Sequence, residues 1–189
     1  EVEGDIQVLV VSLHVRHGDY ITNYMRVLSC GALPVDYYAK CVEILKAWIG
    51  RFTLFVFSNN LEWAKKNLHF TVPIHFVEGC ERDIEELWLM SKCKHNIIAH
   101  STFSWWGAWL NPNPDKKVFA PFPWIKNGMF NRDIYPDKWL KVPVDYNNLP
   151  VIEMPPTYSI VVDVEDDINT LGECLASLKT QHFQYYEVI

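Results

Sequence analysis

This chain of 189 residues lacks long hydrophobic runs, a basic N-terminal segment of the signal-peptide type and an excess of basic residues. No stretch approaches about 18 consecutive apolar residues, so no transmembrane helix is predicted. The opening Glu-Val-Glu-Gly-Asp lacks the basic region of a signal peptide, and we expect a piece of a longer protein. The net charge of −6 argues against a protein that coats nucleic acid, although a local basic site for one phosphorylated ligand is compatible with it.

Cysteine pairs are missing too. The chain has five cysteines, an odd number, with no C-x-x-C spacing, and it has no Asn-x-Ser/Thr glycosylation sequon. This pattern fits reduced, mostly buried thiols of a cytosolic protein better than a disulfide framework or a zinc site. The cysteines are Cys30, Cys41, Cys80, Cys93 and Cys174.

The composition and the hydrophobic pattern indicate a packed α/β protein, with 49% hydrophobic and 14% aromatic residues. Short apolar segments alternate with segments of helical spacing, which is typical of a parallel sheet covered by helices on both faces. We predict strands at 7–15, 52–57, 74–77, 96–99 and 118–120, and helices at 33–48, 61–67, 84–93 and 101–110. In helix 84–93 the inward-facing residues are predicted to be Ile84, Leu87, Trp88 and Met90.

Three parts are predicted along the chain. Residues 1–145 form a Rossmann-like domain whose last strand is 118–120, and residues 146–156 form a proline-rich linker. Residues 157–189 then start a second α/β unit, with a strand at 158–164, a helix at 171–178 and a strand at 186–189. So short a unit cannot bury a core of its own, so we expect a truncated second domain.

The most informative segment is His-Val-Arg-His-Gly-Asp-Tyr at 14–20, directly after an apolar strand. The carboxyl end of a buried strand is where open α/β sheets bind their ligands. Arg16 offers a planar fork of donors to a phosphate, and Gly18 allows the backbone to approach a ligand closely. The alternative is a strand end followed by an ordinary solvated turn.

A second segment, Asn96 to Trp109, also leads from an apolar strand into a helix. Ser101, Thr102 and Ser104 stand at the predicted helix start, where free N–H groups and the helix dipole favour an anion such as a diphosphate. The alternative is a Ser/Thr helix cap followed by a core of tryptophans. Stacking of the tryptophans at 105, 106 and 109 on a sugar is also left open.

Together the two segments resemble the α1,2-fucosyltransferase family (glycosyltransferase family 11). Its members look like HxRRGDY followed by IIANSTFSWWGAWL, and this chain has HVRHGDY at 14–20 and IIAHSTFSWWGAWL at 97–110. The segments 56–68, 81–95 and 113–124 are similar to the family as well. The order of several motifs makes the resemblance specific.

The resemblance implies an inverting, metal-independent transfer of fucose from GDP-fucose to the 2-hydroxyl of a galactoside. It also implies a GT-B architecture of which this chain is the C-terminal, donor-binding half, inactive without the other half. No cofactor and no nucleic-acid partner are implied. The expected acceptor is a galactose-terminated glycan, in the cytoplasm or, if the acceptor is lipid-linked, peripherally at the inner face of the membrane.

The resemblance also assigns roles to residues. Arg16 is expected on the donor diphosphate, where fixed donors would meet the charge of the leaving GDP. Ser101, Thr102 and Ser104 would contact the phosphates, His14 and Asp19 would hold guanine or orient Arg16, and Glu86 would meet the N–H edge of guanine. The predicted site is therefore Arg16 and Asp19 as catalytic residues and His14, Arg16, His17, Gly18, Glu86, Ser101, Thr102 and Ser104 as donor-binding residues, with no metal ligands.

Two positions depart from the family pattern. The second arginine of the first motif is His17, and the asparagine of the second motif is His100. Since histidine is mostly neutral at pH 7, His17 predicts weaker donor binding, or activity that rises toward pH 6. A surface histidine without a ligand is the alternative reading of His17, and a non-catalytic nucleotide- or sugar-binding remnant is the alternative function. The general base stays unassigned, with Asp19 as the nearest candidate.

The last residues carry a separate resemblance. The pattern of 157–189, including LGECLASLKTQ, is similar to the start of a family 2 glycosyltransferase. The segment Asp163-Val-Glu-Asp166 departs from that family's usual Pro-x-Tyr-Asn, and its acidic residues are read as solvated charge rather than a metal site. The expected architecture is GT-A-like, with the sugar and the linkage unassigned.

Overall fold

The architecture is seen in a computed structural model, which describes residues 9–23, 26, 29–126, 133–146, 158–160 and 186–188. The main strands are β1 (Val10–Val15), β2 (Thr53–Ser58), β3 (Ile74–Phe76), β4 (His95–Ile97), β5 (Val118–Phe122) and β6 (Leu140–Pro143). The helices are α1 (Gly18–Thr22), α2 (Val35–Ile49), α3 (Leu61–Asn67), α4 (Asp83–Lys92) and α5 (Thr102–Trp109).

The six strands form one sheet in the order β3-β2-β1-β4-β5-β6, with every pairing parallel. The predicted α/β class and Rossmann-like sheet are therefore confirmed. The chain first builds outward from β1 to β3 and then crosses to the other side of β1 to make β4. This reversal opens a crevice at the carboxyl ends of β1 and β4, the usual ligand position in such sheets.

The central strand β1 is buried on both faces, as its near-continuous apolar sequence requires. Val11 and Leu13 are fully buried, and the one hydroxyl in the strand, that of Ser12, accepts a hydrogen bond from Asn96 Nδ2 at 2.7 Å. Strand β1 pairs with β2 along its whole length, up to Val15, and with β4 at Val11–Leu13. The residues that follow Val15 therefore start from a rigid support.

Helix α2 covers one face of the sheet through residues at helical spacing. Tyr37, Tyr38, Cys41, Val42 and Leu45 are all at most 1% exposed. Tyr37 Oη donates to the carbonyl oxygen of Ile98 at 2.7 Å, so a backbone acceptor just beyond β4 is satisfied inside the core. Gly50 ends the helix at φ 75°, a left-handed conformation that glycine adopts readily.

Two of the four residues predicted to face inward on α4 are exposed instead. Ile84 and Trp88 are each 58% exposed, whereas Met90 is buried. The physical reason is the close packing of α4 on α5, where a Cβ on Gly107 would stand 2.9 Å from Met90 Cβ. This contact fixes which part of α4 is covered, and periodicity alone does not reveal it.

One further prediction and one alternative need correction. The strand 118–120 is not the last of the domain, because β6 adds a sixth strand before the proline-rich linker begins. The alternative of an ordinary turn after Arg16 is wrong, since the segment forms the short helix α1. Four cysteines lie in the described part and are free thiols; Cys30, Cys41 and Cys93 are buried, and Cys80 is partly exposed.

The chain divides into two units, Glu1–Leu149 and Pro150–Ile189. In the second unit the described strands β7 (Tyr158–Ile160) and β8 (Tyr186–Val188) pair in parallel. The predicted helix 171–178 and most of the linker 146–156 lie outside the described residues, so the three-part division stays a prediction. None of the helices in the described part is both long and apolar enough to cross a membrane.

Candidate functional site

A cleft of about 240 Å³ lies at the carboxyl ends of β1 and β4. It gathers side chains from both predicted motifs, together with residues from the segments around 26–30 and 124–125. Of the predicted site residues, Arg16, Asp19, Ser101 and Thr102 line it. The full lining is Arg16, Asp19, Tyr20, Arg26, Ser29, Cys30, His100, Ser101, Thr102, Phe103, Trp124 and Ile125.

Arg16 and Asp19 form an ion pair at the edge of the cleft. Arg16 Nε lies 2.7 Å from Asp19 Oδ1, which leaves the two terminal nitrogens of the guanidinium for another acceptor. Partial burial acts to raise the pKa of Asp19, but the hydrogen bond and charge of Arg16 outweigh it and hold the pKa below its ordinary value. A carboxylate in this state is suited to orienting Arg16 and poorly suited to accepting a proton.

Asn59, at the end of β2, holds the motif loop in place. Its Oδ1 accepts hydrogen bonds from the backbone N–H groups of His17 at 2.9 Å and Gly18 at 3.3 Å. Its Nδ2 donates to Asp19 Oδ1 at 3.1 Å, so one amide fixes both the backbone and the partner of Arg16. A Cβ on Gly18 would stand 2.8 Å from that Nδ2, so the missing side chain makes room for Asn59 and not directly for a ligand.

Tyr20 joins the two motif segments. Its Oη donates to the carbonyl oxygen of His100 at 2.9 Å, across 80 positions of sequence. Its ring also lies near two guanidinium groups, at 5.9 Å from Arg16 Cζ and 5.5 Å from Arg26 Cζ. The aromatic face partly offsets the repulsion between these cations, which leaves a cationic wall facing the cleft.

The start of α5 faces the same cleft. Ser101 is the N-cap residue, and its hydroxyl makes no capping bond to the helix. Ser101, Thr102 and Phe103 all line the cleft, so the positive end of the helix dipole lies at the cleft wall. Thr102 is exposed there. Ser104 points elsewhere: its fully buried hydroxyl lies within hydrogen-bond distance of the carbonyl oxygens of Ala99 at 3.3 Å and Ser101 at 3.2 Å.

His17 is neither exposed nor in the cleft lining. It is 8% exposed, and its ring stacks on Trp63 with centroids 4.1 Å apart. Its Nδ1 lies 3.4 Å from Asn60 Nδ2, and burial lowers the pKa of His17. The alternative reading of His17 as a surface histidine is therefore wrong, whereas its predicted part in donor binding and in a rise of activity toward pH 6 stays a prediction.

His14 and His100 are two buried histidines, 3% and 1% exposed. Burial, with the nearby charge of Arg16, lowers the pKa of His14 to about 3. His14 packs beside the ring of Phe103 and does not line the cleft. His100 does line it, and within the described residues neither of its ring nitrogens has a hydrogen-bond partner.

The remaining predicted residues lie apart from the cleft lining. Glu86 is in the first turn of α4, where burial and the charge of Asp83 raise its pKa. Trp105 packs against Trp139 in the core, whereas Trp106 and Trp109 are each 50% exposed. Among the described residues no group of three or more His, Cys, Asp or Glu side chains could hold a metal ion.

A second cavity, of about 400 Å³, lies at the opposite edge of the sheet. Its lining includes Leu9, Lys92, Lys94 and Asn113, at the amino-terminal ends of β1 and β4. It is larger than the first cavity but lies at the edge where parallel sheets do not place their ligands. Neither predicted motif contributes a residue to it, so the smaller, more charged cleft is the candidate site.

The chain is similar to known glycosyltransferases. Residues 1–142 match Glycosyl transferase family 11. The chain is 42% identical over 134 residues to the O-antigen biosynthesis glycosyltransferase WbnK of Escherichia coli, covering 69% of this chain and 44% of that protein. It is 38% identical over 137 residues to an Alpha-1,2-colitosyltransferase of Escherichia coli, covering 70% and 47%.

A more distant relative is the Galactoside alpha-(1,2)-fucosyltransferase 2 of Mus musculus, 26% identical over 112 residues, with 58% of this chain and 32% of that protein covered. No solved structure matches the chain. The chain spans about half the length of the bacterial relatives it matches. Both motifs and the cleft they form lie within the matched residues, and the chain belongs to glycosyl transferase family 11, the α1,2-fucosyltransferase family.

Proposed function

We propose that this chain is the donor-binding half of a GT-B enzyme that transfers fucose from GDP-fucose to the 2-hydroxyl of a galactoside. The observation that carries the proposal is the convergence of Arg16, Arg26 and the start of α5 on one cleft at the β1/β4 switch point. A nucleoside diphosphate is the ligand for which such a site is suited, since guanidinium groups and free helix N–H groups both favour a dense negative charge.

The proposed reaction is a single inverting displacement without a metal. The acceptor oxygen forms a bond to the anomeric carbon while the bond from that carbon to the diphosphate oxygen breaks, and the electron pair leaves with GDP. Arg16 and the α5 N-terminus lower the energy of this step by meeting the charge that develops on the leaving phosphate. Asp19 orients Arg16. The base that takes the acceptor proton is not assigned to a residue of this chain.

Arg16→Lys tests the proposal. Radiolabelled transfer from GDP-fucose to lactose is measured with the full-length protein, alongside the affinity for GDP. We expect loss of the planar fork to reduce both by about ten- to a hundredfold, or about 1.4–2.7 kcal/mol. Arg51→Lys is the matched control, because Arg51 is exposed at the opposite edge of the sheet, before β2. An equal loss in both variants, or none in Arg16→Lys, contradicts the proposal.

The same assay separates the alternatives. GDP binding without transfer or donor hydrolysis by the full-length protein would favour a non-catalytic nucleotide-binding remnant. Colitose is the second donor sugar to test, because one relative is named an Alpha-1,2-colitosyltransferase. The acceptor, and a cytoplasmic position at the inner face of the membrane, remain proposals that depend on the full-length enzyme.

A further inference from the structure

His100 is the most unusual polar side chain in the cleft. It is 1% exposed, yet it lines the cleft, and within the described residues neither Nδ1 nor Nε2 has a hydrogen-bond partner. A buried imidazole normally satisfies at least one ring nitrogen, because a buried donor or acceptor without a partner loses its hydrogen bonds to water and gains none in return. The unfilled hydrogen-bonding capacity next to Arg16 and Arg26 indicates that a ligand completes it.

The surroundings of His100 offer hydrogen-bond acceptors to its ring. The carbonyl groups of Cys30 and Gly31 lie close enough to raise the pKa of the ring, although neither meets the geometry of a hydrogen bond. A diphosphate in the cleft would bring a second set of acceptors to the same ring. Neutral imidazole has one N–H donor, whereas imidazolium has two.

We propose that His100 contacts the diphosphate of the bound donor and takes up a proton as the donor binds. This inference rests on the proposed function, since it assumes a diphosphate in the cleft. It assigns the pH dependence of donor binding to His100 and not to His17, whose ring is stacked on Trp63 and lies outside the cleft lining.

The electrostatics of the empty cleft explain why the proton arrives only with the donor. Burial first, and then the charges of Lys126 and Arg26, lower the pKa of His100 to about 4, so the ring is neutral at pH 7. A diphosphate offsets those positive charges and places anionic oxygens beside the ring, both of which favour imidazolium. The titratable or charged groups around His100 are His14, Arg16, Asp19, Tyr20, Arg26, Cys30, Lys126 and Tyr146.

Calorimetry of GDP-fucose binding to the full-length protein tests the inference. GDP-fucose is the better probe than GDP, because its diphosphate is a diester and has no second ionisation near pH 6. Titrations at pH 5.5 to 7.5, in buffers of different ionisation enthalpy, give the number of protons taken up. We expect uptake that approaches one proton at the acid end, with affinity rising by up to about tenfold for each unit that the pH falls.

Three variants show which histidine takes up the proton. His100→Asn, which restores the residue of the family pattern, is expected to abolish uptake and flatten the pH profile, whereas His17→Asn and His14→Asn keep both. The ring ¹⁵N shifts of His100 in the unmodified protein provide a readout that does not depend on a variant folding. They are expected to move from neutral to imidazolium values on donor binding at pH 6.

The outcomes are distinguishable. If GDP-fucose binds but no proton is taken up, or uptake survives in His100→Asn, the inference about His100 is overturned and the proposed function stands. If uptake is lost in His14→Asn and kept in His100→Asn, the inference is overturned as well. If GDP-fucose does not bind at millimolar concentration, the proposed function fails first and this inference with it.

Discussion

Asn59→Ala should weaken donor binding although Asn59 does not line the cleft. The substitution removes three hydrogen bonds, two from the N–H groups of His17 and Gly18 and one to Asp19 Oδ1. The two backbone bonds are worth about 0.5–1.5 kcal/mol each, and a bond to a carboxylate about 1.5–3 kcal/mol. Because the Gly18 and Asp19 bonds are solvent-exposed, we use the low end of each range, which gives a total of about 2.5 kcal/mol.

The loss of these hydrogen bonds affects both folding and binding. It lowers the free energy of unfolding of the ligand-free protein. It also leaves Arg16 less ordered, and the free energy needed to order Arg16 on binding raises the Kd for GDP-fucose. We expect a Kd about five- to tenfold higher, or about 1–1.4 kcal/mol, measured by calorimetry beside urea unfolding.

Asn60→Ala is the matched control. Its Oδ1 accepts a hydrogen bond from the N–H of Trp63 at 3.0 Å and caps α3, so its loss costs about 1 kcal/mol of stability without releasing Asp19. Unchanged affinity in Asn59→Ala, or an equal loss of affinity in both variants, would refute the role given to Asn59.

Two further predictions follow from buried groups. Ser104→Ala should cost about 1 kcal/mol of unfolding free energy, because it removes the buried hydroxyl beside Ala99 O and Ser101 O, and should leave the Kd for GDP-fucose within about twofold; a large rise in Kd would return Ser104 to the phosphate site. Stability should fall as the pH drops from about 6.5 toward 4, because His14 and His100 stay neutral in the fold, with pKa values of about 3 and about 4, while the unfolded chain binds protons near 6.5. Urea unfolding at several pH values measures the slope, which His100→Asn should reduce, and an unchanged midpoint over this range would contradict the neutral, buried state of both rings.

The sequence predicts the location of a site residue well where that residue lies at the end of a strand. Arg16 follows β1, and Ser101 and Thr102 stand at the start of α5, so the parallel sheet brings them to one edge. The position of the cleft was therefore predictable, as were the α/β class and most element bounds to within about two residues. The helix 61–67 in particular matches α3 residue for residue.

Roles that depend on long-range packing were not predictable. Asn59 contacts a loop about 40 positions earlier, and His17 is buried by Trp63, which only the β1–β2 pairing brings near. Ser104 reads as a phosphate ligand in the motif, but its rotamer directs the hydroxyl to its own backbone. Arg26 belongs to neither motif, so its place in the cleft had no local signal.

A crystal structure of the full-length protein with GDP would show whether the diphosphate lies in the cleft between β1 and β4. We expect oxygens of the β-phosphate within about 3 Å of the terminal guanidinium nitrogens of Arg16 and of the first N–H groups of α5. Density for GDP in the opposite cavity, beside Lys92, Lys94 and Asn113, would contradict it.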